Sequence, residues 1–158
     1  MLAVPVKNID LFSKVSWEAL TYFNFYRFLI AFLFVSLYWI GQLPEPLGQY
    51  DRHLFGVTAH IYLLVSVGAQ LVVRIKFPAY FIQVTANIFA DIILVTVMMY
   101  ASAGLSSGFG MLLVIAVAGG SLLSSGRIGI LYASVATILV LGHEVYMQLQ
   151  QYGVTPNY

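Results

Sequence analysis

The sequence contains no cysteine, which excludes disulfides, thiolate metal sites and cysteine nucleophiles. Charge is nearly as scarce. Asp, Glu, Lys and Arg together make up 8% of the 158 residues, against about 25% in an ordinary soluble domain. A chain so poor in charge cannot cover a water-facing surface. Its net charge is +1, and no basic stripe is present, so a nucleic-acid partner is not expected. No phosphate-cradling loop, dinucleotide fingerprint or nucleophile elbow occurs, and no cofactor is implied. What is present is apolar: 61% of residues are hydrophobic, mean hydropathy is +0.90, and the apolar residues fall in long runs. Lipid is the solvent that suits such runs. The start does not read as a cleavable signal, because Lys7, Asp10, Lys14 and Glu18 precede an apolar run too long for one.

The pattern predicts an all-α, polytopic transmembrane bundle of about five spans. Residues 1–21 read as a mixed polar, cytoplasmic N-terminal tail, with Ser16 and Glu18 suited to a helix start. The transmembrane unit, 22–147, divides into spans at about 22–40, 56–73, 80–100, 108–123 and 128–147. Pro44, Pro46 and Gly48 mark the first loop, and Pro78 suits the first turn of the third span. The fourth span is short, covering only ~24 Å at 1.5 Å per residue. Residues 148–158 read as a periplasmic tail. Lysine and arginine set the orientation. With the N-terminus inside, Lys7, Lys14, Arg74, Lys76 and Arg127 all lie on the cytoplasmic side and only Arg52 lies outside.

Few residues could carry chemistry. Gln83, Asn87 and Asp91 recur every fourth position and so line one helix face, with Asp91 near the bilayer midplane. A carboxylate there must face protein or water: the seam either receives a partner helix, proton or ligand, or bonds the bundle internally. Arg27, beside Asn24, sits one turn inside the first span and is expected to snorkel to the headgroups rather than meet Asp91, whose depth differs. His143-Glu144 reads as an interfacial polar pair. It lacks the second histidine of a zinc-protease helix, since position 147 is methionine, and the setting of a phosphoacceptor. His53 and His60 have too few partners for a metal site. Small residues at helical spacing, Ala116, Gly120 and Ser124 with Gly129, Ala133 and Thr137, predict close packing of the last two spans as a hairpin.

The decapeptide Ala101-Ser102-Ala103-Gly104-Leu105-Ser106-Ser107-Gly108-Phe109-Gly110 is the most distinctive stretch. With Asp91, the apolar run through Ala116 and Gly120 to Gly126-Arg127, and Asn24-Phe25-Tyr26-Arg27, it resembles the membrane sensor region of the type IV pilus sensor histidine kinases, the PilS family. The likeness runs from about Asn24 to Glu144, and Ala103 departs from the glycine usual in that family. The resemblance implies a six-helix input module in the bacterial inner membrane, forming a homodimer, sensing a pilin transmembrane helix and regulating pilus genes. It also implies kinase domains in the parent protein, while this chain holds no catalytic domain. An odd number of spans leaves the two ends on opposite faces, so a sixth span is expected to follow. Gln83, Asn87, Asp91, Gly104, Ser106, Ser107, Gly108 and Gly110 are the candidates for partner binding. A small proton- or cation-coupled transporter using Asp91, and a stand-alone membrane scaffold, are the rival readings.

Overall fold

The computed structural model describes residues 6–41, 43–77, 79–124 and 126–152, with side chains from Val15 to Leu149 apart from the gaps and Gly126. Among these residues the only regular elements are helices: α1 (Val6–Ile40), α2 (Arg52–Ile75), α3 (Tyr80–Ala101), a 3-10 turn η1 (Gly104–Ser107), α4 (Phe109–Leu123) and α5 (Gly126–Tyr152). Stretches of α1, α2, α3 and α5 are long and apolar enough to cross a membrane. The 15 residues of α4 reach only about 22 Å at ~1.5 Å per residue.

The largest departure from expectation is at the start. Residues 1–21 were expected as a tail, but α1 is already helical from Val6, and Ser16 and Glu18 lie inside it. No glycine or proline interrupts 6–40, so nothing breaks the helix where its polarity changes. Helix α1 is therefore continuous through the expected boundary at Tyr22. Arg27 thus lies well inside a continuous helix rather than one turn from its start.

Local chemistry sets the other ends. Asp51 caps α2 by accepting from the Leu54 amide at 2.9 Å. Lys76 closes it in the left-handed region (φ 55°), its amide reaching Val72 and Val73. Gly108, at φ 80°, separates η1 from α4, a conformation that suits a residue without Cβ. Ser124 ends α4, its amide and hydroxyl both donating to the Gly120 carbonyl. Helix α5 runs on to Tyr152, past the expected Met147. Pro78, and the last residues of the 148–158 segment, lie outside the described residues.

Helix α3 is the hub, packing against α2, α4 and α5, while α1 packs chiefly on α2. Val84, Ile88, Ile92, Val95 and Met98 of α3 are buried among Phe34, Phe55, Phe109 and Tyr132 from the other helices. At one end of the bundle Trp17 meets Tyr80 edge-on, and the Tyr80 hydroxyl donates to the Leu123 carbonyl at 3.1 Å. At the other end the first loop is tied to the end of α3: the amides of Tyr50 and Asp51 donate to the Ala101 carbonyl at 3.2 and 2.9 Å.

Candidate functional site

The polar seam of α3 faces protein. Gln83, Asn87 and Asp91 are all buried, Asp91 with only 1% of its surface exposed. Opposite it, α1 presents Asn24 and Arg27, three residues apart and therefore on one helix face. Arg27 Nε donates to Asp91 Oδ1 at 2.6 Å, and the pair is 1% exposed on both sides. Arg27 Nη1 donates to Asn24 Oδ1 at 3.3 Å, and Asn87 Nδ2 donates to the same oxygen at 3.3 Å. From α2 the Tyr62 ring lies 5.8 Å from the guanidinium carbon, within cation–π range. The Tyr62 side chain interacts electrostatically with both charges.

This overturns two expectations. Arg27 neither snorkels nor avoids Asp91. Asp91 lies midway along Tyr80–Ala101, and Arg27 meets it at 2.6 Å, so the two share one depth. An isolated charge at that depth costs about 2.5–3.5 kcal/mol on insertion scales. Each therefore neutralises the other, and three helices are drawn to one point. The pair is incompletely satisfied: Arg27 Nη2, Asp91 Oδ2 and Asn24 Nδ2 make no hydrogen bond among the described residues. A cavity of about 10 Å³ borders Arg27 and Asp91 between α1 and α4.

The glycine-serine turn is tied by hydrogen bonds to the first loop and to itself. The Gly48 amide donates to Ser102 Oγ at 3.0 Å and the Ala103 amide to the Pro46 carbonyl at 3.3 Å. Ser106 and Ser107 donate their hydroxyls to the carbonyls of Ala103 and Gly104 at 2.6 and 2.5 Å, closing the turn on itself. Gly104 (φ 64°) is buried below Glu144 and His143, and a Cβ there would lie 3.3 Å from Glu144 Oε1. Gly108 is exposed and Gly110 touches Leu105. The seam and the turn are thus separate places: the first at mid-depth, the second at one end.

His143 is buried at that end, its ring 5.6 Å from Tyr100 and edge-on to it. His60 sits between Trp39, whose Nε1 donates to it at 3.1 Å, and the Gly56 carbonyl. Among the described residues no three His, Cys, Asp or Glu side chains come together as a metal site.

The small-residue stripes need a correction. Gly129 does pack on Ser121, joining α4 to α5, but the space beside Gly120 is taken by Ile88 of α3, and Ala116 is buried on the same side. Ala133 and Thr137 are exposed along an open apolar groove between α4 and α5, with a volume of about 630 Å³. Equal spacing on two helices did not reveal that the α4 stripe serves α3.

The sequence signalled Asp91 through its cost in lipid. It hid Arg27, because the start of its span was masked by polar residues, and Tyr62, which looks like any apolar-helix tyrosine. Comparison with known proteins bears on the same segments. A family model described as the PilS-like transmembrane domain matches residues 12–157, and its label specifies six transmembrane helices. The sensor protein kinase PilS of Pseudomonas aeruginosa (strain PAO1) is 28% identical over 155 residues, covering 96% of this chain and 28% of that protein. The chain thus spans well under two thirds of the relative's length. No solved structure matches. With nearly its whole length matched, the chain belongs to the PilS-like transmembrane domain family.

Proposed function

We propose that the chain is the membrane-embedded input module of a two-component sensor histidine kinase, and that it reads pilin in the inner membrane to set pilus gene transcription. The observation that carries this reading is the buried Arg27–Asp91 pair, which ties α1 to α3 at mid-depth with bonding capacity left over. A partner helix that engaged this locus would favour one arrangement of α1 against α3 and pass that bias to kinase domains attached to the chain. The magnitudes are adequate. A hydrogen bond to a charged group contributes about 1.5–3 kcal/mol, enough to shift a two-state equilibrium roughly ten- to hundredfold.

The transporter reading is disfavoured by the same geometry. Asp91 is sealed from solvent and held by a fixed cation, so it lacks the exposure to either side that ion coupling requires. The test uses the intact kinase in cells carrying a pilin-promoter reporter, with pilin present and deleted. Asp91→Asn is expected to change the ratio of the two reporter levels several-fold while membrane insertion persists. A wild-type ratio from a correctly inserted variant would remove the pair from signalling.

A further inference from the structure

Arginine carries five N–H donors and no acceptor, and each donor left unmatched in a bilayer is costly. Arg27 uses Nε for Asp91 and Nη1 for Asn24, and Nη2 makes no hydrogen bond although the residue is 99% buried by its 1% exposure. The cavity beside it is about 10 Å³, room for a group the size of a single oxygen. Phe23 and Tyr26 of α1 and Leu112 and Ala116 of α4 flank it, Tyr62 of α2 and Val95 of α3 close it from within, and Tyr26 is 37% exposed. We infer that the cleft between α1 and α4 receives a neutral hydrogen-bond acceptor from a partner transmembrane helix, which takes the free Nη2 of Arg27.

Charge decides the chemistry of that acceptor. Arg27 and Asp91 already cancel, so a second carboxylate would leave a net negative charge at the middle of the bilayer, where charge is penalised. The oxygen of an Asn, Gln, Ser or Thr side chain adds no charge. Depth decides its source. Asp91 lies midway along its helix and Arg27 meets it there, whereas lipid ester and headgroup oxygens lie at the interface and acyl chains carry no acceptor. Between lipid and a partner protein, a side chain on a spanning helix is the source that brings an oxygen to that level. Size agrees, because a cavity this small admits only a single water or the tip of a side chain, and a water would leave helices with and without such an oxygen equal in affinity. The inference rests on the input-module reading and adds to it the type of residue recognised.

The test measures energy transfer in vesicles between the labelled intact protein and dilute leucine-rich transmembrane peptides bearing a central Leu, Asn or Lys. With wild-type protein the Asn peptide is expected to associate about tenfold more tightly than the Leu peptide, about 1.4 kcal/mol, and the Lys peptide, which has no acceptor, to show no gain. Two variants should each abolish the gain: R27M/D91L, which removes the donor together with its counter-charge, and Ala116→Leu, which fills the cleft and keeps both charges. Equal affinities for the Asn and Leu peptides, or an Asn gain that survives in both variants at wild-type helix content, overturns the inference. These are binding readouts. Loss of the reporter response in cells would instead strike the input-module reading, so the two failures are distinguishable.

Discussion

At the scale of single residues, the fold depends on two charges that lipid forbids separately. Removing one partner of a buried pair costs about 3–5 kcal/mol, whereas replacing both with apolar residues of similar volume is often neutral or stabilising. Arg27→Met should therefore unfold far more readily than wild type in detergent, and R27M/D91L should recover most of the loss. Helicity followed against added denaturing detergent checks both. Similar losses for the single and double variants would show that the pair is not an energetic unit. The seam was readable in advance, since Gln83, Asn87 and Asp91 share a face and Asp91 is expensive in lipid. Its partner was not, and the cause is specific: Lys14 and Glu18 make the chain before Tyr22 look aqueous, yet α1 is one helix from Val6 and Arg27 lies well inside it. A misjudged boundary of a few residues changed the depth of a charge, and with it the partner.

At the scale of elements, glycines show which helix faces approach closely. A Cβ at Gly120 would collide with Ile88, and one at Gly56 with the Tyr38 ring, whereas a Cβ at Gly68 meets nothing within 4 Å. Gly120→Ala should then destabilise by about 1–3 kcal/mol through overpacking between α3 and α4. Gly68→Ala should be neutral or stabilising by up to about 1 kcal/mol, as alanine is the better helix former. Matched unfolding curves separate the two, and equal effects would contradict the α3–α4 contact. A second comparison concerns the turn. Gly104 and Gly108 both lie at positive φ, but only Gly104 is crowded, by Glu144 and His143. Gly108→Ala should cost the ~1–2 kcal/mol of a left-handed L-residue, and Gly104→Ala more. The existence of the helices was legible from apolar runs, whereas the Asp51 cap was not, because α2 starts at Arg52 and the second span was expected only from about residue 56. Which helix a small-residue stripe serves was not legible, because Ala116 and Gly120 have the same spacing whether they face α3 or α5.

At the scale of the whole molecule, the bundle has two chemically different ends. The contacts of Tyr80 with Trp17 and Leu123 gather the N-terminal half of α1, the α2–α3 link and the α4–α5 link at one end. The hydrogen bonds of Tyr50, Asp51 and Ala103 gather the other two loops at the opposite end. Arg74, Lys76 and Arg127 belong to the first end, with Lys7 and Lys14 in the part of α1 that leads into it; Arg52 belongs to the second. The asymmetry predicts that the first end faces the cytoplasm, because basic residues near span ends are retained there. Since the chain has no cysteine, one introduced thiol reports its own side without background. Gln49→Cys and Phe77→Cys place it at exposed positions of opposite ends. An impermeant maleimide added to spheroplasts should label Gln49→Cys at once and Phe77→Cys only after the membrane is opened. The reverse pattern would put five basic residues on the outer face against one within. Retention of positive charge could not then be what orients this bundle, and the cytoplasmic N-terminus would have to be abandoned along with it.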